Sequence, residues 1–287
     1  ALRSLFFVAL DENEMSVKRM QSFVTVQPGE TTSCVGCHEP RTRTPQLRDI
    51  RLLAALKRPP SRIEPYANLP DVLDFPRDIQ PILDRHCVAC HNHDRHDGDI
   101  NLSGDRTPYY STAYWTMFSK SLVVDGRNKH GNRPPRTIGT SASRLMTCLD
   151  RSHYEVQLSD QERFTIRTWI DSGATYSGTY ACLGSGMFPV DFPDEIVVNR
   201  CGGCHQATKA SYRNVKQDAF YFQFGTQEPP QPLLERIDDI ILIRHLAYFQ
   251  LGEAPLYQAL CNLDRPAHSV FLRAPLAKSA GGLERCG

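Results

Sequence analysis

Residues 84–96 read "DRHCVACHNHDRH", with Cys87 and Cys90 three apart and His91 directly behind the second cysteine. Such a pentapeptide could bind a metal, close a disulfide or anchor a prosthetic group, and the rest of the chain decides between them. The pattern occurs three times, as Cys34-Cys37-His38, Cys87-Cys90-His91 and Cys201-Cys204-His205. One copy would arise by chance on the order of once per hundred chains of this kind, so three require a common cause. A zinc ribbon needs a second cysteine pair about 15–20 residues on. Here the pairs begin 53 and 114 residues apart, and zinc gives no reason for the histidine that follows each pair. A thioredoxin-like redox motif would occur once, near a βαβ pattern, and none is visible.

C-x-x-C-H is the attachment sequence of c-type haem: the thiols reach the two vinyl groups, and the adjacent histidine lies beneath the iron. The pattern therefore predicts three covalently attached haem c groups. Cys34, Cys37, Cys87, Cys90, Cys201 and Cys204 would form the thioethers, with His38, His91 and His205 as proximal ligands. Haem c is attached outside the cytoplasm, which predicts an exported, periplasmic or extracellular protein in which disulfides persist. The four other cysteines are Cys148, Cys182, Cys261 and Cys286. The sequence-local pairing is Cys148–Cys182 with Cys261–Cys286, one of three connectivities, and buried free thiols are the alternative. Each bridge would stabilise by about 3–4 kcal/mol on the loop-entropy argument.

Composition narrows the partners. Hydrophobic residues make up 40% of the 287, charged residues 23%, and the net charge is +1, which gives no basic footprint for nucleic acid. The longest apolar run, "LFFVAL" at 5–10, is too short to span a bilayer and lacks the flanks of a signal peptide. A chain that starts almost directly in a strand reads as a trimmed precursor or as one with further sequence upstream. Twenty prolines and 18 glycines imply much irregular backbone between short helices.

The expected fold class is mainly α with much irregular coil, a multihaem cytochrome c with a short N-terminal β-hairpin. "SLFFVAL" and "SFVTVQ" flank the turn-rich "DENEM" and form that hairpin. In "DFPRDIQPILDRHCVACH", Phe75, Ile79, Ile82 and Leu83 share one face of a helix that delivers Cys87. Asp191-Phe192-Pro193 repeats Asp74-Phe75-Pro76 before the third motif, an internal repeat offset by 117 residues. "LSDQERFTIRTWIDSGA" is a helix with a Ser159/Glu162 capping box, an Ile166, Trp169, Ile170 stripe and a Gly173 stop. A longer helix is expected over 232–252, with Leu234, Ile237, Ile241, His245 and Phe249 on one side. Three units follow: 1–70 with the hairpin and first haem, 71–188 with the second, and 189–287 with the third.

Beyond the three motif histidines, His86, His93, His96, His130, His153, His245 and His268 are available as distal ligands. His86 directly precedes Cys87, a place for a neighbouring haem's ligand or for a solvated loop residue. The first haem would draw its sixth ligand from His86, His130 or another chain, or have none. His245 is expected to serve the third haem, with His268 as competitor and backbone-bonded core packing as the alternative. "HNHDRHDGD" reads as an exposed loop or, less simply, a metal-holding cluster. Met146 and Met187 are sulfur ligands or, more simply, apolar packing.

Several long phrases resemble the C-terminal haem region of hydrazine synthase alpha-subunit-like proteins and related planctomycete-type multihaem cytochromes. They are "MQSFVTVQPGETTSCVGCHEPR", "DFPRDIQPILDRHCVACH", "GTSASRLMTCLDRSHYEVQLSDQE", "WIDSGATYSGTYACLGSGM" and "RPAHSVFLRAPLAKSAGGLERC". The resemblance implies a large β-rich domain upstream and a bis-histidine, electron-passing second haem. It carries the distal-ligand role to the histidine of "SHYEVQLS", His153. It also implies a catalytic first haem with a tyrosine bound shortly after its motif and the motif histidine diverted to zinc. The fourth residue after His38 is Thr42, and no tyrosine precedes Tyr66, so that tyrosine is not carried to this chain. The expected function is a triheme cytochrome that moves electrons between redox partner proteins or other cytochromes, as a shuttle or within a homo-oligomer or filament. The alternatives are a haem enzyme acting on a small nitrogen compound or peroxide, and a structural docking module.

Overall fold

The computed structural model describes residues 3–20, 22–32, 42, 57–107, 110–124, 134–178, 261–273 and 275–284. The first and third C-x-x-C-H motifs, the repeated Asp-Phe-Pro segment, the 232–252 stretch, His130, Met187, Cys182 and Cys286 lie outside the described residues.

The N-terminal segment forms two nested antiparallel ladders. β1 (Arg3–Leu5) pairs with β4 (Val24–Val26), and β2 (Val8–Leu10) pairs with β3 (Ser16–Arg19). The turn between β2 and β3 is closed by Asp11, whose Oδ1 accepts the N–H groups of Asn13 (2.9 Å) and Met15 (3.0 Å). Its other oxygen takes Arg136 Nη1 at 2.6 Å. The expected hairpin is present and docks on the helical unit through β3: Ser16 is buried and its N–H reaches Thr140 Oγ1 at 2.8 Å. Thr140 in turn gives its N–H and hydroxyl to the buried Asp171 carboxylate at 2.9 and 3.0 Å.

The Asp-Phe-Pro segment opens the helical unit. Pro76 and Pro81 lack the N–H that would close regular α turns, and the chain passes through a wide turn at Phe75–Ile79 before α1 (Gln80–His86). Phe75, Ile79, Ile82 and Leu83 are all buried, as the apolar spacing predicts. The same segment is zipped to residues 174–178. Phe75 N–H donates to Tyr176 O at 2.9 Å, and Gly178 N–H donates to the buried Asp74 carboxylate at 2.6 Å. A Cβ at Gly178 would collide with Val72 and the Leu73 carbonyl, so only glycine lets the two segments approach this closely.

α2 (Thr112–Ser119) is capped by Ser111, and α3 (Asp160–Asp171) carries the complete capping box, with Ser159 and Glu162 bonded reciprocally. The turn at Phe75–Ile79 meets α2 and α3 in an aromatic block. Phe75 lies edge-on to Tyr114 (5.2 Å) and tilted against Trp169 (5.3 Å), and Tyr114 is edge-on to Tyr176 (5.0 Å). Each such pair contributes about 0.5–1.5 kcal/mol beyond its buried area. The polar tips are satisfied: Tyr114 Oη donates to Ala174 O and Trp169 Nε1 to Thr175 O, both at 2.8 Å.

A short tail helix, α4 (Val270–Arg273), follows a segment that returns to this body. Leu263 N–H donates to Arg106 O at 2.8 Å, and Arg106 grips the Asp264 carboxylate through Nη2 (2.6 Å) and its own N–H (2.7 Å). The tail belongs, by sequence, to the 189–287 unit, yet it packs against 93–107 of the second.

Gly139 tests the hairpin joint. Its φ of +69° is left-handed, and an added Cβ would collide with Ser16 Oγ and the Asp171 carboxylate. Gly139→Ala is expected to destabilise by about 2–4 kcal/mol, combining strain and overpacking. Amide exchange across 8–19 should rise in this variant; unchanged protection there would refute the joint.

Candidate functional site

Where α1 ends, Cys87 N–H still bonds Leu83 O (2.8 Å), and the chain then tightens so that Cys90 and His91 N–H groups both reach Cys87 O, at 3.1 and 3.0 Å. The motif is thus wound directly onto the C-terminus of a buried helix, with its two cysteines and histidine crowded around one turn. Both Cys87 and Cys90 are free thiols. Burial, with Cys148, Asp84 and Cys90 nearby, pushes the Cys87 thiol up to about 11. That favours the protonated thiol over the thiolate. Cys148 also carries a free thiol, and its expected partner Cys182 lies outside the described residues. Cys261 is buried.

Facing the motif is the turn that precedes α3. His153 N–H bonds Asp150 O (3.1 Å), and Val156 N–H bonds His153 O (3.0 Å). Tyr154 and Glu155 both take left-handed φ values, 50° and 61°, which β-carbon sterics disfavour. The turn is built this way although Tyr154 is 89% exposed, so its shape is not imposed by packing of that ring. Its result is that the rings of His91 and His153 lie 6.1 Å apart and within 11° of parallel. The Nδ1 atom of His91 is buried with no hydrogen-bond partner among the described residues. Cys87, Val88, Met146 and Val156 are partly buried and pack against the edge of the apolar core.

Glu162 connects the two halves. Its Oε2 accepts the N–H and hydroxyl of Ser159, both at 2.9 Å, and its Oε1 accepts Arg85 Nη2 (2.7 Å) and His86 Nε2 (3.1 Å). Burial pulls this carboxyl up, but the bonds from Ser159, Arg85 and His86 outweigh it and bring it down to about 2. Its contribution to stability is therefore complete above the ordinary 4.5 and is lost only as pH falls through about 2. His86, the candidate ligand directly before Cys87, meets Glu162 through Nε2 and keeps a partly exposed side chain.

The "HNHDRHDGD" segment divides. His96 is exposed, but His93 is buried, against the loop expectation, because polar partners meet it inside. Its Nε2 lies 2.7 Å from Asp105 Oδ2 and its Nδ1 3.0 Å from Asn101 Nδ2, which suits the neutral Nε2–H tautomer. Burial holds it below its ordinary 6.5, with Asp105 opposing and Arg265 and His268 assisting. Asp105 also accepts Asn262 Nδ2 (2.6 Å) and Arg265 Nε (2.8 Å), so it pins the tail. His268 stacks at a tilt against His93, 5.0 Å away, and its Nδ1 is 4.0 Å from Asp94. His38, His205, His130 and His245 are among the residues not described, as are Cys34, Cys37, Cys201 and Cys204. Neither the His93 network nor the second duty of Glu162 was read from the sequence. The S-x-x-E cap gave only half of the latter.

Among the described residues no group of three or more His, Cys, Asp or Glu side chains converges as a metal site, and no helix is long and apolar enough to cross a membrane.

Comparison with known proteins relates the chain to hydrazine synthase alpha. Residues 1–39 match the family model described as hydrazine synthase alpha subunit middle domain. That stretch runs from the hairpin through the first motif, whereas the resemblance read from the sequence was to the C-terminal haem region. The chain is 32% identical over 130 residues to hydrazine synthase subunit alpha of Kuenenia stuttgartiensis, an alignment covering 36% of this chain and 15% of that protein. The chain thus spans a small part of that relative's length. No solved structure matches.

Removing the tail's anchor gives the test of this region. Asp105→Ala takes the acceptor from three side chains, His93, Asn262 and Arg265, and is expected to cost about 2–4 kcal/mol. Amide exchange at 262–273 should accelerate well before global unfolding, and an unchanged rate there would show that the tail is held by something else.

Proposed function

We propose that this chain is an exported c-type cytochrome with three covalent haems, whose second haem is held by Cys87, Cys90, His91 and His153 and passes electrons between redox partner proteins. The observation that carries this reading is the disposition of the His91 and His153 rings. With a metal–imidazole bond of about 2 Å and ~1.1 Å from nitrogen to ring centroid, two imidazoles on one iron have centroids about 6 Å apart. The rings lie at 6.1 Å and nearly parallel. A bare metal ion would want about four protein donors. A haem brings four nitrogens of its own, so two imidazoles and two reduced thiols are the protein complement that it needs.

The chain's own residues then have definite tasks. Cys87 and Cys90 would hold a haem c group through thioethers at the end of α1, and His91 and His153 would supply its two imidazole donors. A haem held by these residues would supply one-electron exchange, with both imidazoles committed to it. This supports conduction rather than substrate chemistry at the second haem. The enzyme reading draws its support from the likeness to hydrazine synthase alpha, and it would live at another haem.

Pyridine haemochrome titration of the purified chain should give three haems, falling to two in Cys90→Ser; one or two in the parent would overturn the assignment. His153→Ala should convert one low-spin haem to high-spin in the electron paramagnetic resonance spectrum and admit carbon monoxide to one further ferrous haem per chain. An unchanged spectrum would remove His153 from the iron. Carbon monoxide binding by the parent protein would favour the enzyme reading.

A further inference from the structure

Two parts of the second site come from distant parts of the chain, and one carboxylate touches both supports. Arg85 and His86 are the last residues of α1 and sit directly before Cys87. Ser159 caps α3, six residues after His153. Glu162 Oε1 takes Arg85 Nη2 at 2.7 Å, Arg85 Nε at 3.2 Å and His86 Nε2 at 3.1 Å, while Oε2 takes both Ser159 groups. Its side chain is only 18% exposed and that of His86 23%, so solvent screens these bonds incompletely.

We infer that Glu162 is a positioning residue for the second haem's sixth ligand, bracing the helix that delivers the Cys87–His91 motif against the helix entry that carries His153. The inference rests on the axial roles given above to His91 and His153. A helix cap needs only Oε2; the use of Oε1 on another helix is unnecessary for capping and sets the distance between the two supports. Without it, the His153 turn is joined to α3 but α3 is no longer tied at this point to the motif's own helix.

The cap and the brace can be separated. Glu162→Gln keeps an oxygen for the Ser159 N–H, since glutamine also serves in a capping box, but loses the charge and one acceptor. Arg85→Met removes the brace from the other side, and Ser159→Ala removes the cap alone. In the full haem-loaded chain, Glu162→Gln and Arg85→Met are each expected to raise the carbon monoxide affinity of the ferrous second haem about tenfold. Each should also broaden or split its low-spin paramagnetic resonance signal. Ser159→Ala should lower the thermal midpoint while leaving both readouts as in the parent. Equal effects of Ser159→Ala and Glu162→Gln, or a parental signal in Glu162→Gln and Arg85→Met, would reduce Glu162 to a helix cap and overturn the inference. His153→Ala, measured alongside, separates the two levels. If it opens the sixth position while Glu162→Gln does not, only the brace falls. If it changes nothing, the ligand assignment falls and the brace with it.

Discussion

The placement of two near-parallel imidazoles 6.1 Å apart, each carried by a short irregular turn, depends on the helical unit behind them. Neither turn could keep its histidine in place alone: the His91 turn is one winding beyond α1, and the His153 turn contains two residues with unfavourable backbone angles. Their relative position is inherited from what lies behind them. The turn that leads into α1 is fixed to α2 and α3 by the aromatic block of Phe75, Tyr114, Trp169 and Tyr176, and hydrogen bonds between 73–75 and 175–178 add to that hold. A net hydrogen bond is worth only about 1 kcal/mol, so the buried rings give the mass of the stabilisation and the polar bonds give its geometry.

Much of this scaffold was legible because its signals are local. The Ser159–Glu162 cap, the Ile166, Trp169 and Ile170 stripe and the Gly173 stop are all contained within fifteen residues, and each is found where the spacing puts it. The hairpin and the buried face of α1 follow for the same reason. α2 escaped notice because "TAYWTMFS" is apolar on most sides and only eight residues long, so no stripe stands out. His93 looked like a solvated loop residue because its polar partners, Asn101 and Asp105, are supplied by chain folding and not by its immediate neighbours in sequence. Glu162 shows the same limit within one side chain, since one oxygen obeys a local motif and the other answers a helix more than seventy residues away.

The likeness to hydrazine synthase alpha bears on different ground from the site itself. The matched family segment covers the hairpin, and the hairpin is joined to the helical unit by Ser16, Thr140 and Asp171. The β ribbon is therefore not an independent appendage: whatever force or partner acts on it is transmitted to the C-terminal end of α3, the helix whose other end is capped beside the His153 turn.

The tail contact alters how the polypeptide is to be partitioned. Asn262, Asp264 and Arg265 lie more than 150 positions beyond Asp105 and Arg106 in sequence, yet Asp105 accepts from Asn262 and Arg265, and Arg106 holds Asp264. A C-terminal stretch therefore supplies part of the wall of the unit that carries the second motif, and cutting the chain before 261 would strip that unit of it.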